Sequence, residues 1–155
     1  LEVGRGELVA GQILGLWFLG AVQTAFLLIV GRLAFGLNLG ANLPGVLRVL
    51  AVFAWVAAAL GVVVGSLLNS HDRIVGTCVL VSMLMALIGG CWVPMELMPD
   101  TMRLAAHCVP TGWALDALHR LISFGGDLST IVKPVAVLAG FGVATTAAAA
   151  RWFRI

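Results

Sequence analysis

Charge is scarce in this sequence. Nine Lys plus Arg and seven Asp plus Glu make up 10% of 155 residues, the net charge is +2, and no basic run occurs. The electrostatic footprint of a nucleic-acid-binding surface is therefore missing. Also absent is GxxxxGK[ST], the loop whose backbone amides cradle nucleotide phosphates, which excludes ATP hydrolysis by that route. HExxH, GxSxG and CxxC do not occur either. Glu2, Arg5 and Glu7 do not form the positive region that a secretory signal peptide needs. No internal repeat and no low-complexity linker divides the chain, so 1–155 reads as a single domain.

What is abundant is apolar surface. Hydrophobic residues make up 61% of the chain and the mean hydropathy is +1.10, against about 45–50% apolar residues in ordinary soluble domains. The fold class that follows is an all-α integral membrane protein with about four transmembrane helices. The spans read as Leu8 to Val30, Val49 to Leu68, Ile74 to Trp92 and Leu128 to Arg151. At about 1.5 Å of rise per residue, each is long enough to cross a hydrocarbon core.

Within these spans, Gly11 with Gly15 and Gly61 with Gly65 form two small-xxx-small faces, the pattern of close helix packing. Gln23 and Thr24 are polar positions that can bond a neighbouring helix or line a translocation path. Glycines and asparagines from Gly31 to Pro44 mark a loop. Asn69 to Arg73 is so short a polar break that the second and third spans must be antiparallel neighbours. His71 and Asp72 there read as solvated turn residues. Asp127 is placed to cap the last span, and Arg151, Trp152 and Arg154 end it as an interfacial anchor.

Between Trp92 and Leu128 the periodicity changes. Pro94, Pro99 and Pro110 divide the segment into two short helices, because each removes a backbone donor and biases its predecessor away from helix. The first, Pro99 to Val109, is expected to place Met98, Met102, Ala105 and Val109 on an apolar side and Asp100, Arg103 and His107 on a polar one. The second is expected to begin with Thr111 as N-cap and to carry the stripe Trp113, Ala114, Ala117, Leu118 and Leu121. It should stop at Gly125-Gly126. Cys78 reads as a small buried hydrophobe, whereas Cys91 and Cys108 both fall at the outer face, where a disulfide can form.

Gly89-Gly90 followed by Pro94, Pro99, Pro110 and Trp113 resembles the signature of type-2 ATP-binding-cassette (ABC) exporter permeases. So do LVAGQILG and LAFG around the first span, with Gln12 standing where the family usually has Lys. The resemblance implies a two-glycine turn, here a hinge or re-entrant point, then an outer-face helical hairpin and a last span. It also implies that two further spans precede this segment in a six-span permease. It implies a second permease copy or homologue and an ABC ATPase subunit that carries ATP and Mg, with no cofactor on this chain. The location implied is the inner membrane of a bacterium, with multiple passes.

Placing the amino terminus inside puts Arg5, Arg73, Arg151 and Arg154 in short inner segments. Arg32, Arg48, Arg103, Arg120 and Lys133 are then spread over longer outer ones, a bias in density rather than in count. Glu96, between two prolines at the bilayer edge, joins Gln23 and Thr24 as a candidate pathway or gate residue. The function expected is outward movement of a hydrophobic or amphipathic compound, a drug, lipid or natural product. Two alternatives stand beside it: a non-transporting anchor subunit, and a membrane-embedded enzyme using His107, Asp116 and His119.

Overall fold

The computed structural model describes residues 4–93 and 97–153. Pro94 and Glu96, and the anchor residue Arg154, lie outside the described residues. The described chain is helical: α1 (Arg5–Phe35), α2 (Leu43–Leu67), α3 (His71–Ile88), α4 (Asp100–Ala106), α5 (Pro110–Ile122), a 3₁₀ turn (Leu128–Ile131) and α6 (Val132–Trp152). Four helical stretches, α1, α2, α3 and Leu128–Trp152, are long and apolar enough to cross a membrane. The chain is an all-α, multi-pass membrane protein, with the α4–α5 hairpin between its third and fourth spans.

Helix boundaries follow local chemistry that the apolar runs do not reveal. The loop expected from Gly31 begins only at Gly36, whose φ of 62° stops α1. Leu37 folds back over Gly31, where an added Cβ would meet Leu37 Cδ1 at 2.5 Å. Pro44, read as a loop marker, instead lies in the first turn of α2, where its missing N–H has no intrahelical role. The Asn42 side chain caps that helix by accepting from the Gly45 N–H at 3.2 Å. His71, Asp72 and Arg73 belong to the first turn of α3, so the turn between spans shrinks to residues 68–70.

The core lies where α5 meets α2 and α6. Val46 and Val49 of α2, Ala114, Ala117 and Leu121 of α5, Ile131 and Leu138 form one buried cluster, with Trp113 and Leu118 packed against it. The expected stripe of α5 is therefore its buried face, but it lies against the ends of two spans instead of the lipid interface. Gly45 permits this approach, since a Cβ there would lie 3.1 Å from both Leu121 methyls. A second cluster joins Val9 and Ile13 of α1 to Ala58, Ala59 and Val62 of α2 and Ala149 of α6. The α2–α6 seam closes over Gly142, where a Cβ would come within 2.7 Å of the Trp55 ring.

Candidate functional site

The Gly89-Gly90 pair ends α3 through a cap in which each backbone donor has a defined acceptor. Gly90, with φ of 88°, takes the left-handed conformation that glycine adopts without steric cost. Its N–H donates to Leu87 O at 3.4 Å, and the Cys91 N–H reaches back to Ala86 O at 2.9 Å. This double closure satisfies carbonyls that the helix end would otherwise leave orphaned. It stops α3 at Ile88, four residues before the expected end at Trp92.

Gly89 has a separate job. The Thr111 hydroxyl donates to Met85 O at 2.6 Å, the same carbonyl that accepts from the Gly89 N–H at 2.8 Å. A Cβ on Gly89 would collide with the Thr111 hydroxyl and would lie 2.6 Å from Thr111 Cβ. Thr111 is thus not the N-cap of α5. That place belongs to Val109, which offers no side-chain bond, and Pro110 occupies the first turn. The threonine hydroxyl is used instead to pin the start of α5 onto the end of α3.

The hairpin is closed by Gly112 and Trp113. A Cβ on Gly112 would overlap the Ala106 carbonyl, so only glycine lets the two short helices meet this closely. Trp113 Nε1 donates to His107 O at 2.7 Å. The His107 ring stands edge-on to the indole with centroids 4.8 Å apart, and Lys133 Nζ lies 6.0 Å from the centroid of the indole ring. In α4 the buried residue is Ala106, and Met98 just before the helix is also buried. Met102 is 48% exposed and Ala105 is exposed, so of the expected apolar side only Met98 is buried and Val109 half-buried. At seven residues the helix is too short to bury a stripe.

α5 ends at Ile122, ahead of Gly125-Gly126. Gly126 is used in folding the chain back, its N–H donating to Arg120 O at 2.9 Å.

Gln23 and Thr24 line a cleft of about 410 Å³ between α1 and α2, together with Gly20, Ala54, Ala57 and Gly61. Thr24 Oγ1 donates to Gly20 O at 2.8 Å, within its own helix. Gly15, Gly61 and Gly65 line an adjoining cleft of about 650 Å³ with Gln12 and Ser66. At Gly11, Gly15, Gly61 and Gly65 an added Cβ would meet nothing within 4 Å. These glycines therefore make no close helix contact within the described residues, and the tight crossing falls at Gly142, outside either motif. The reason is geometric: the α1–α2 crossing buries Val9 and Ile13 and leaves the glycine faces toward open clefts.

His107, Asp116 and His119 do not converge. His107 Nδ1 lies 2.8 Å from Arg103 O, Asp116 Oδ2 accepts from Arg120 Nε at 3.1 Å, and His119 stands edge-on to Phe124 at 5.3 Å. No group of three His, Cys, Asp or Glu side chains suited to a metal forms among the described residues. Cys78, Cys91 and Cys108 are all free. Asp127 caps the final 3₁₀ turn by accepting from the Leu128 N–H at 2.8 Å, as expected. The pairing of Gly89 with Thr111 and of Gly112 with Ala106 was missed in the sequence. For Gly112 the visible signal is a glycine inside a short helix, which costs about 1 kcal/mol relative to Ala unless packing requires it.

Comparison with known proteins supplies the family. Residues 2–151 match the family model described as ABC-2 family transporter protein. The linearmycin resistance permease protein LnrN of Bacillus subtilis is 24% identical over 153 residues, which is 99% of this chain and 40% of that relative. The chain thus spans about two-fifths of the length of the curated relative it matches. No solved structure matches. With a family match over nearly its whole length and a helical hairpin seated between its last two spans, the chain belongs to the ABC-2 family of transporter proteins.

Proposed function

We propose that this chain is the membrane-embedded part of an ATP-driven exporter that moves a hydrophobic or amphipathic compound outward. The observation that carries this reading is the seat of the hairpin. α5 is buried against α2 and α6 and its first turn is hydrogen-bonded to the end of α3 through Thr111 and Met85. In this reading a movement of the spans is passed through the hairpin to one membrane face. The resistance role in the relative's name supports a drug or natural product as cargo. In this reading ATP and Mg belong to a partner ATPase, and a second permease copy or homologue completes the pathway. The hairpin faces outward from a bacterial inner membrane, and Gln23 and Thr24 sit along the pathway. Glu96 is the proposed gate residue.

Gly89-Gly90 is the proposed hinge, since the left-handed Gly90 is where α3 can change direction at least backbone cost. The test is export from proteoliposomes holding the natural permease and its ATPase, with a panel of amphipathic antibiotics as cargo. ATP-dependent efflux that stimulates hydrolysis is the expected result. Gly89→Leu with Gly90→Leu should abolish that efflux while membrane insertion persists. Hydrolysis indifferent to every compound of the panel would favour the anchor reading, and undiminished efflux by the double variant would remove the hinge.

A further inference from the structure

α1 is held to its neighbours near one end. Val9 and Ile13 pack with Ala58, Ala59 and Val62 of α2 and with Ala149 of α6. After Ile13 the next buried residue of α1 is Gly31, which Leu37 covers from the following loop. Between these points Trp17 reaches across to α2, its Nε1 donating to Ala51 O at 2.9 Å. That bond supplies no missing partner, because Ala51 lies within α2 and its carbonyl already accepts from the N–H four residues on.

The recess beside this bond holds an acceptor that has no donor. Trp17 and Ala51 line it with Ile13, Leu14, Trp55 and, on α6, Thr146, and its volume is about 540 Å³. The Thr146 hydroxyl is buried and has no hydrogen-bond partner among the described residues. Gly142 O, one turn back in α6, is already faced by Thr145 Oγ1 at 3.1 Å. Water does not meet the need, since it requires two to four polar partners and the other side chains of the lining are apolar apart from the indole nitrogens. A helix or lipid laid over the recess from outside leaves the hydroxyl where it is, behind the described side chains. A buried hydroxyl without a partner has lost its hydration uncompensated. A donor moving to it from Ala51 O would gain a bond where one is missing and leave behind a carbonyl that keeps its helical one. The Trp17 indole is such a donor, because a turn about its Cβ–Cγ bond carries Nε1 to the opposite edge of the ring.

We propose that Trp17 is a two-position latch whose indole N–H exchanges between Ala51 O on α2 and Thr146 Oγ1 on α6. Val9 and Ile13 touch both helices and serve as the fulcrum, so the exchange sets how far the outer length of α1 stands from α2. The experiment uses the whole permease in proteoliposomes without ATP or cargo, so that its outcome is independent of transport. Tryptophan carries 15N in the indole, solid-state NMR reads the Nε1–H resonances, and the Trp17 signal is assigned by its loss in Trp17→Phe. In the wild-type protein Trp17 should give two resonances, or one that shows exchange in relaxation dispersion. Thr146→Val removes the second acceptor at nearly constant shape and deletes a hydroxyl that is unpaired in the α2 position, so folding should persist and Trp17 should give one resonance without exchange. Thr146→Ser, which keeps the hydroxyl, should behave as the wild type does. A single Trp17 resonance without exchange in the wild-type protein, a reading that needs no variant, would overturn the proposal. Exchange that persists in Thr146→Val would also overturn it, by giving the second position to water or lipid. Exchange confined to Trp55 would assign the hydroxyl to the other indole of the recess, with the same result.

Discussion

α1 and α2 are equally apolar, with mean hydropathies of 2.2 and 2.4 over their best windows, yet 6% of one window and 33% of the other is buried. The pair α3 and Leu128–Trp152 repeats the pattern: both have a mean hydropathy of 1.6, with 0% and 22% buried. Hydropathy reports only whether a helix tolerates hydrocarbon around it. Whether it packs against protein depends on side-chain shape, since lipid tails are as apolar as leucine and offer no hydrophobic driving force between helices. The α2–α5–α6 side is built on close approaches at Gly45 and Gly142, and the hairpin joined to it on one at Gly112. The α1 and α3 flanks keep large apolar side chains facing outward, Phe18, Phe26 and Leu80 among them.

That contrast can be broken most sharply at Gly112. Gly112→Leu drives a side chain into the Ala106 carbonyl, and overpacking against backbone should cost about 3 kcal/mol. The expected readout is loss of protease protection across residues 97–131, with the four spans still inserted. Intact protection would mean that the hairpin does not close as described. Next comes a matched pair: Leu121→Ala empties the centre of the core and should cost about 2–5 kcal/mol, whereas Leu80→Ala on the outer side of α3 should change stability by less than about 0.5 kcal/mol. Thermal denaturation in detergent measures both, and equal effects would erase the distinction between packed and unpacked spans.

A smaller effect tests the joint between the two regions. Gly89→Ala should cost about 1–3 kcal/mol through its clash with Thr111, and Thr111→Ala about 1 kcal/mol through the lost bond to Met85 O. Because the second change removes the hydroxyl and leaves the Cβ, it relieves part of the clash created by the first, and the double variant should be somewhat less destabilised than the sum. Strict additivity would show that Gly89 and Thr111 do not share this contact. Smallest of all is Arg120→Ala. The ion pair with Asp116 is partly exposed at 49% and 19% for the two side chains, so a loss near or below about 0.5 kcal/mol is expected. A loss above about 1 kcal/mol would place this pair in a role that its exposure does not suggest.

The sequence by itself determined the membrane fold class, the four spans among the described residues and the position of the hairpin. Composition and periodicity are properties of the chain that hydrocarbon and water read locally. The apolar stripe of α5 was legible for the same reason, as was Asp127 at the last turn. Helix ends were legible only within a few residues, because Gly36, Asn42, Pro44 and Gly90 act through single backbone bonds that the apolar runs do not encode.

What only the tertiary structure decided is where helices touch. Gly11, Gly15, Gly61 and Gly65 carry the packing motif and meet nothing within 4 Å among the described residues, while Gly142, Gly112 and Gly89 carry no packing motif and are the positions that Trp55, Ala106 and Thr111 approach. The difference lies in the partner. A glycine shows that room exists at one point of one helix, but a close contact also requires a second surface brought to that point, and that depends on how the remaining helices pack.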